Sequence, residues 1–298
     1  MDKAHQLNEL VLHHLQTIYQ GVEVNGDFAE ITNSLLKSMR ISHEHEIHNL
    51  TPHTNLWNEN DIVLITYGDS IIEPSAELAD GMLKKPLQSL HHFLSKYCAA
   101  SINHVHILPF FPYSSDDGFS VIDYSTVNQA LGNWDDVTQI ADDFGLMVDL
   151  VINHCSSRSA WFENFVKQQS PGKDYFFVVD KDTDTADVTR PRTSDLLRET
   201  ETVDGKKYVW CTFSHDQVDF DFRNPAVLIA FVDIIRLYLD KGTRIFRLDA
   251  IAFLWKEFGT NCINLPQTHE VVRLMRTLIE HASPNTIIIT ETNIPNRD

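Results

Sequence analysis

Hydrophobic positions repeat along this chain with two different rhythms. In the first sixty residues Leu7, Leu10, Val11, Leu15 and Ile18 fall at three- and four-residue steps, one face of a helix that Gly21 would end. Phe28, Ile31 and Leu35 repeat the pattern behind Asp27, a residue suited to capping a helix start. From residue 61 the rhythm changes. Short runs of branched apolar residues at 62–67, 104–110, 146–154, 244–251 and 286–292 alternate with amphipathic stretches at 85–98, 134–144, 225–241 and 267–282. Continuous apolar strands separated by helices predict a parallel sheet covered on both faces. Residues 1–60 are thus expected to form a helical extension and 61–298 an α/β body.

One interval departs from the alternation. After the third strand comes a short helical stretch near 159–169, and then roughly fifty residues before the next helix, far more than such connections need. Strand-like segments at 175–180 and 207–213 lie within it, between the turn signals Pro171-Gly172 and Asn224-Pro225. An inserted subdomain over about 170–224 is expected. Trp134 and Trp161, at helix openings, read as packing residues.

Charge narrows the partners. The chain has 24 Lys plus Arg against 42 Asp plus Glu, a net charge of −18, and no basic block. That argues against nucleic acid or an anionic membrane, which need clustered cations. No apolar run approaches a membrane span, and Cys98, Cys155, Cys211 and Cys262 form no CxxC pair, so a cytoplasmic location is expected. Oligomeric state is not legible.

In parallel α/β folds chemistry gathers beyond the carboxyl ends of the strands. Here those ends are polar: Thr66-Tyr67-Gly68-Asp69, Asn153-His154, Arg247-Leu248-Asp249 and Thr290-Glu291-Thr292. Arg247 and Asp249, two apart on a strand, face one side. The guanidinium is expected to hold Asp249 ionised, as a nucleophile requires. Glu291 follows three isoleucines, an apolar setting that would raise its pKa as a general acid requires. Two carboxyls on adjacent strand ends fit the separation of about 5–5.5 Å of a retaining glycosidase. On spacing alone, an Arg–Asp salt bridge beside an unrelated surface Glu fits equally.

The segments Asp149-Leu150-Val151-Ile152-Asn153-His154, Arg244-Ile245-Phe246-Arg247-Leu248-Asp249 and Ile289-Thr290-Glu291 resemble signature strands of glycoside hydrolase family 13, the α-amylase superfamily. Leu108-Pro109-Phe110-Phe111-Pro112-Tyr113, Ser115-Asp116-Asp117-Gly118-Phe119 and Thr189-Arg190-Pro191-Arg192 are similar to its sucrose phosphorylase branch, and Thr290-Glu291-Thr292-Asn293 to the glucosylglycerate phosphorylase subgroup. The resemblance covers about residues 55 to 298 and implies a (β/α)₈ TIM barrel. It implies a retaining α-glucoside phosphorylase that takes a glucosylglycerate-like or sucrose-like α-glucoside and inorganic phosphate to α-glucose 1-phosphate, with no cofactor and no metal. Asp249 would be the nucleophile and Glu291 the acid/base. Arg247 would orient Asp249. Asp116 and His154 would hold sugar hydroxyls, and Phe119 and Tyr67 would line the pocket. Arg190 and Arg192 would meet phosphate; the alternative for both is a solvated loop arginine.

The family barrel has eight strands, whereas the pattern here gives five, the last followed closely by Asn296-Arg297-Asp298. An incomplete barrel of about five βα units is therefore expected. Its open edges predict that this chain by itself aggregates or lacks turnover, so that a truncated, non-catalytic fragment is the alternative function. Ser214-His215-Asp216 superficially resembles the family's transition-state motif, but it precedes the helix at 225 and belongs to the insertion. His43-Glu44-His45-Glu46-Ile47-His48 misses the HExxH spacing, and the stretch from Asp180 lacks the Gly and Glu of a calcium loop.

Overall fold

The computed structural model describes residues 2–73 and 83–292. Asn293 of the fifth-strand motif and residues 296–298 lie outside them. In chain order the elements are α1 (Lys3–Ile18), α2 (Phe28–Ser38), β1 (Val63–Thr66), α3 (Pro86–Phe93), β2 (His104–Ile107), α4 (Trp134–Asp143), β3 (Gly145–Val151), β4 (His154–Ser156), α5 (Ala160–Val166), β5 (Val178–Val179), β6 (Leu197–Thr202), β7 (Gly205–Trp210), β8 (Gln217–Asp219), α6 (Pro225–Asp240), β9 (Thr243–Asp249), α7 (Pro266–Ala282) and β10 (Ile287–Thr290).

Five of these strands form one sheet in the order β1-β2-β3-β9-β10, all neighbours parallel. This is the strand order of consecutive βα units in an incomplete TIM barrel. One face is dry. Val105, Ile107, Leu146, Val148, Leu150, Phe246 and Leu248 are buried there, in one core with Leu90, Val137, Ile140, Phe231, Ile235, Leu274 and Leu278 of the helices. Each such side chain contributes about 1.5–3 kcal/mol relative to exposure. The opposite face is only partly covered: Ile65 is 62% exposed and Ile289 is 43% exposed, and both stand on the outermost strands.

The N-terminal helices clasp the outer layer. α1 starts at an Asp2 cap, buries Leu7, Val11, Leu15 and Ile18, and packs on α7; α2 packs on α1 and α6. The contact is not wholly apolar, because buried His14 reaches Glu270 on α7 at 2.6 Å and Thr277 at 3.0 Å.

The expected third strand divides in two. β3 ends at Val151, and His154 begins β4, which pairs antiparallel with β8 in a separate two-stranded sheet. The inserted region is therefore rooted at His154, ahead of residue 170. Its other sheet, in the order β5-β7-β6, is antiparallel. Trp134 packs against Phe110, Phe111 and Tyr238, and Trp161 against Tyr124, Tyr175, Phe220 and Phe231.

Candidate active site

Sheet register brings the expected residues to one face. β3 and β9 set Asp149 beside Arg247 and Val151 beside Asp249, and β10 sets Ile289 beside Arg247 and Thr290 beside Leu248. Glu291, one residue on, comes level with Asp249. Side chains level with each other on parallel strands share a face, so both carboxylates point to the same side. The ladder continues past β10, the Glu291 N–H donating to the Leu248 carbonyl at 2.9 Å. The residue after Asp249 then turns: Ala250 has φ +50°, and its N–H donates to Glu291 Oε2 at 3.0 Å. A left-handed conformation in a non-glycine residue is costly and concentrates at functional sites.

Arg247 is shared. Its Nη1 lies 2.5 Å from Asp149 Oδ1 and 3.2 Å from Asp249 Oδ1, and Asp149 in turn meets His106 Nε2 at 2.7 Å. The expectation that Arg247 keeps Asp249 ionised needs correction. Asp249 is 8% exposed, and its carboxyl is pushed up to about 7, first by burial and next by the neighbouring Asp149 charge. Arg247 pulls the other way and does not prevail, because its shorter bond goes to Asp149. The apolar setting expected for Glu291 also differs. Glu291 is half-buried and Ile289 is substantially exposed, so the three isoleucines do not enclose the carboxyl.

Asp116 and Asp117 both adopt positive φ, +57° and +49°, followed by Gly118 at +110°. A Cβ on Gly118 would stand 2.7 Å from the Pro109 carbonyl oxygen, so only glycine fits there. This tight turn aims Asp116 Oδ2 at Gln217 Nε2, which donates to it at 2.8 Å. Gln217 Nε2 also lies 3.2 Å from His154 Nε2, and the His154 Nε2–H donates to the Phe119 carbonyl at 3.1 Å. Burial pushes the His154 imidazole below its ordinary range. The Phe119 ring lies 5.9 Å from the Arg247 guanidinium. Tyr67 follows β1 and is 39% exposed, and its hydroxyl is pushed up by burial and then by the charges of Asp117, Asp116 and Asp149. Asp116, Phe119, His154, Arg247, Tyr67, Asp249 and Glu291 thus converge at one end of the sheet.

The two expected phosphate arginines do not behave alike. Arg190 Nε donates to the Thr212 carbonyl at 3.1 Å, Nη1 to the Ser194 carbonyl and Nη2 to Ser194 Oγ, so its planar fork ties its own loop to the segment after β7. All three guanidinium nitrogens of Arg190 thus already have protein partners, which phosphate would have to share. Arg192 is exposed, with its guanidinium 5.8 Å from the Phe213 ring; Phe213 packs 5.0 Å from His154. Of the pair, Arg192 lies against a ring that itself packs on His154.

Several residues were not assigned from sequence. Asp149 and His106 extend the Arg247 pairing, and Gln217 donates to Asp116 while packing beside His154. Asp216 accepts from Ser114 and Ser115 at 2.5 Å, Ser157 at 2.9 Å and Ser120 at 3.1 Å. Those hydroxyls hold its carboxyl below the usual range against the opposing effect of burial. Asp216 is a structural anchor between the 114–120 loop and the insertion, in keeping with the reading that set the Ser-His-Asp stretch aside. The whole arrangement lies away from the cleft of about 890 Å³ lined by Val22, Lys173, Tyr175 and Arg223.

This set of groups can do acid–base and nucleophilic chemistry at one carbon. Among the described residues, no group of three or more His, Cys, Asp or Glu side chains is placed to hold a metal ion, and no helix is long and apolar enough to cross a membrane.

Residues 98–298 match the family of the alpha amylase catalytic domain. The chain is 49% identical over 241 residues to a glucosylglycerate phosphorylase of Spirochaeta thermophila, covering 81% of this chain and 40% of that protein. It is 45% identical over 243 residues to a glucosylglycerate phosphorylase of Escherichia coli, covering 81% of this chain and 42% of that one. The chain therefore spans well under half the length of these relatives. Among solved structures, a sucrose 6F-phosphate phosphorylase from Thermoanaerobacter thermosaccharolyticum superposes with a TM-score of 0.70 at 28% identity, over 82% of this chain and 50% of that one. The parallel sheet, the level pair of carboxylates at its carboxyl end and these matches agree: the chain belongs to the alpha-amylase family.

Proposed function

We propose that this chain carries the glucosyl-handling part of the active site of a retaining α-glucoside phosphorylase, acting on a glucosylglycerate-like or sucrose-like substrate. The observation that carries the reading is the level placement of Asp249 and Glu291 on neighbouring strands, joined by the Ala250 N–H. As its carboxylate, the form favoured above about pH 7, Asp249 attacks the anomeric carbon while Glu291 protonates the leaving oxygen, giving a β-glucosyl ester and a free acceptor alcohol. Phosphate then attacks the same anomeric carbon and gives its proton to Glu291, the Asp249 carboxylate leaves, and two inversions return α-glucose 1-phosphate. Asp116 and His154 hold ring hydroxyls, and Phe119 and Tyr67 wall the ring. Arg192 supplies positive charge to phosphate in an otherwise acidic protein. The names of the relatives support the phosphorylase reading and the glucosylglycerate class of substrate.

A second reading has its own support. β1 and β10 are the outer strands of the five-stranded sheet, and Ile65 and Ile289 on them are exposed. Uncovered edges and apolar positions favour a chain that gains turnover only when further polypeptide covers them. One experiment addresses both readings. Exchange of labelled inorganic phosphate into α-glucose 1-phosphate is measured with this chain and with a chimaera joining residues 1–292 to the C-terminal remainder of the Spirochaeta thermophila relative. Exchange by both supports a self-sufficient site, and exchange by the chimaera alone supports the second reading. A folded chimaera with no exchange overturns the phosphorylase assignment.

A further inference from the structure

The mouth of the sheet contains a buried cation that the proposed chemistry does not use. Lys256 follows the turn after Asp249, and its Nζ lies 2.9 Å from Asp219 Oδ2, 2.9 Å from Asn153 Oδ1 and 3.3 Å from the Leu254 carbonyl. The side chains of Lys256 and Asp219 are 2% and 0% exposed. Asp219 is well supplied with other donors: the Thr212 N–H at 3.0 Å, Thr212 Oγ1 at 2.6 Å and Asn153 Nδ2 at 3.2 Å. Burying an ion pair is costly, and an apolar replacement is often as stable, so stability alone is a weak reason for this arrangement.

Two routes lead from Lys256 to groups already placed in the site. Asn153, fixed through its Oδ1, turns its Nδ2 towards His154 Nδ1 at 3.3 Å. Asp219 closes β8, the three-residue strand whose first member, Gln217, contacts both Asp116 and His154. One ammonium thus joins the turn after Asp249, the end of β3 and the inserted region.

We propose that Lys256 is a positioning residue whose ammonium, by fixing Asn153 and Asp219, sets the His154 imidazole and the Asp116 carboxylate relative to the turn that carries Asp249. Only the kinetic or binding consequence rests on the functional reading above; the placement of the ring does not. The groups facing His154 are Asp219 on β8, Lys256 after β9, Asp116 and the Phe119 carbonyl in the 116–119 turn, Gln217, and the Phe213 ring. Removing the ammonium takes away the cation in contact with the Asp219 carboxylate beside His154, which favours the protonated imidazole.

The test uses the 298-residue chain with isotopically labelled histidine, followed by NMR across pH, together with binding of α-glucose 1-phosphate. In Lys256→Met the His154 titration is expected to move up by roughly one pH unit, and affinity to fall about tenfold, a loss of about 1.4 kcal/mol. Lys256→Arg, which keeps a cation, should shift the titration less. Should Lys256→Met fail to fold, the pair Asp219→Asn/Lys256→Met removes both charges together; it should return the titration towards the parent's while its ring resonances stay displaced, because the tether is gone. Parent-like titration and ring resonances in a folded Lys256→Met, or parent-like ring resonances in the folded pair, overturn the proposal. If the parent itself binds no α-glucose 1-phosphate, the His154 resonances alone still decide the role of Lys256, and phosphate exchange by the chimaera decides the functional reading.

Discussion

The two carboxylates occupy neighbouring strands at the same height, yet their surroundings differ. Asp249 sits between β3 and β10, nearly buried, with two acidic neighbours and a guanidinium it must share. Glu291 follows the outer strand, half-exposed, held by one backbone N–H. Proximity to an arginine was expected to settle the state of Asp249. Burial and the Asp149 charge outweigh it, because a cation pinned by one carboxylate has less to give a second. The nearest opposite charge does not decide ionisation; the full set of competitors for it does.

That contrast can be broken most forcefully at Asp249. In the phosphate-exchange assay with the chimaera, Asp249→Asn should lose turnover by on the order of 10⁴-fold, as removal of a nucleophile does. Glu291→Gln should lose about 10²–10⁴-fold in glucosyl transfer, while its urea midpoint shifts by less than about 0.5 kcal/mol, as for a part-exposed group. Arg247→Met should strand two buried carboxylates and cost about 3–5 kcal/mol in the same denaturation experiment.

A smaller effect tests the ionisation of Asp249 directly. The folded state keeps its proton up to about pH 7, whereas the unfolded chain releases it near 3.8. Between those values the folded state binds more protons, so this group makes stability fall as pH rises, by up to about 4 kcal/mol. Asp249→Asn should flatten that slope and be more stable than the parent above pH 7, although inactive. A parent and variant with parallel pH–stability curves would show that Asp249 is ionised throughout. Smallest of all, Arg192→Ala should leave the melting temperature within about 1 °C and raise the phosphate concentration needed for half-maximal exchange. Arg190→Ala should instead lower stability by about 1–2 kcal/mol through three lost hydrogen bonds.

Much of the frame was legible because one face of the sheet is buried, which sets apolar residues at alternating positions such as Val105 and Ile107 or Leu146, Val148 and Leu150, with the polar His106 and Asp149 on the other face. The amphipathic helices were legible for the same reason. β6 was not: Leu-Arg-Glu-Thr-Glu-Thr carries almost no apolar alternation, since it lies at the edge of a small surface sheet. β4 and β8 were hidden because three-residue strands have no period to read. At the site, the ends of β9 and β10 drew attention as polar residues after apolar runs. The Asp216 serine cluster could not be found this way, since its partners come from loops more than forty positions apart in sequence. Lys256 did leave a trace: a lone lysine after Ile-Ala-Phe-Leu-Trp is a cation in an apolar run, and such a residue needs a buried partner.

The turn at Ala250 has a further consequence for which sequences this architecture accepts. A buried alanine ordinarily admits larger aliphatic neighbours of similar character, but a residue bent into the left-handed region does not admit branching at Cβ. In a saturation library, position 250 should keep glycine and asparagine and lose valine and isoleucine. The strictest entry in that library's tolerance map would then belong to a side chain that never meets the sugar, chosen for the direction in which it points its own amide.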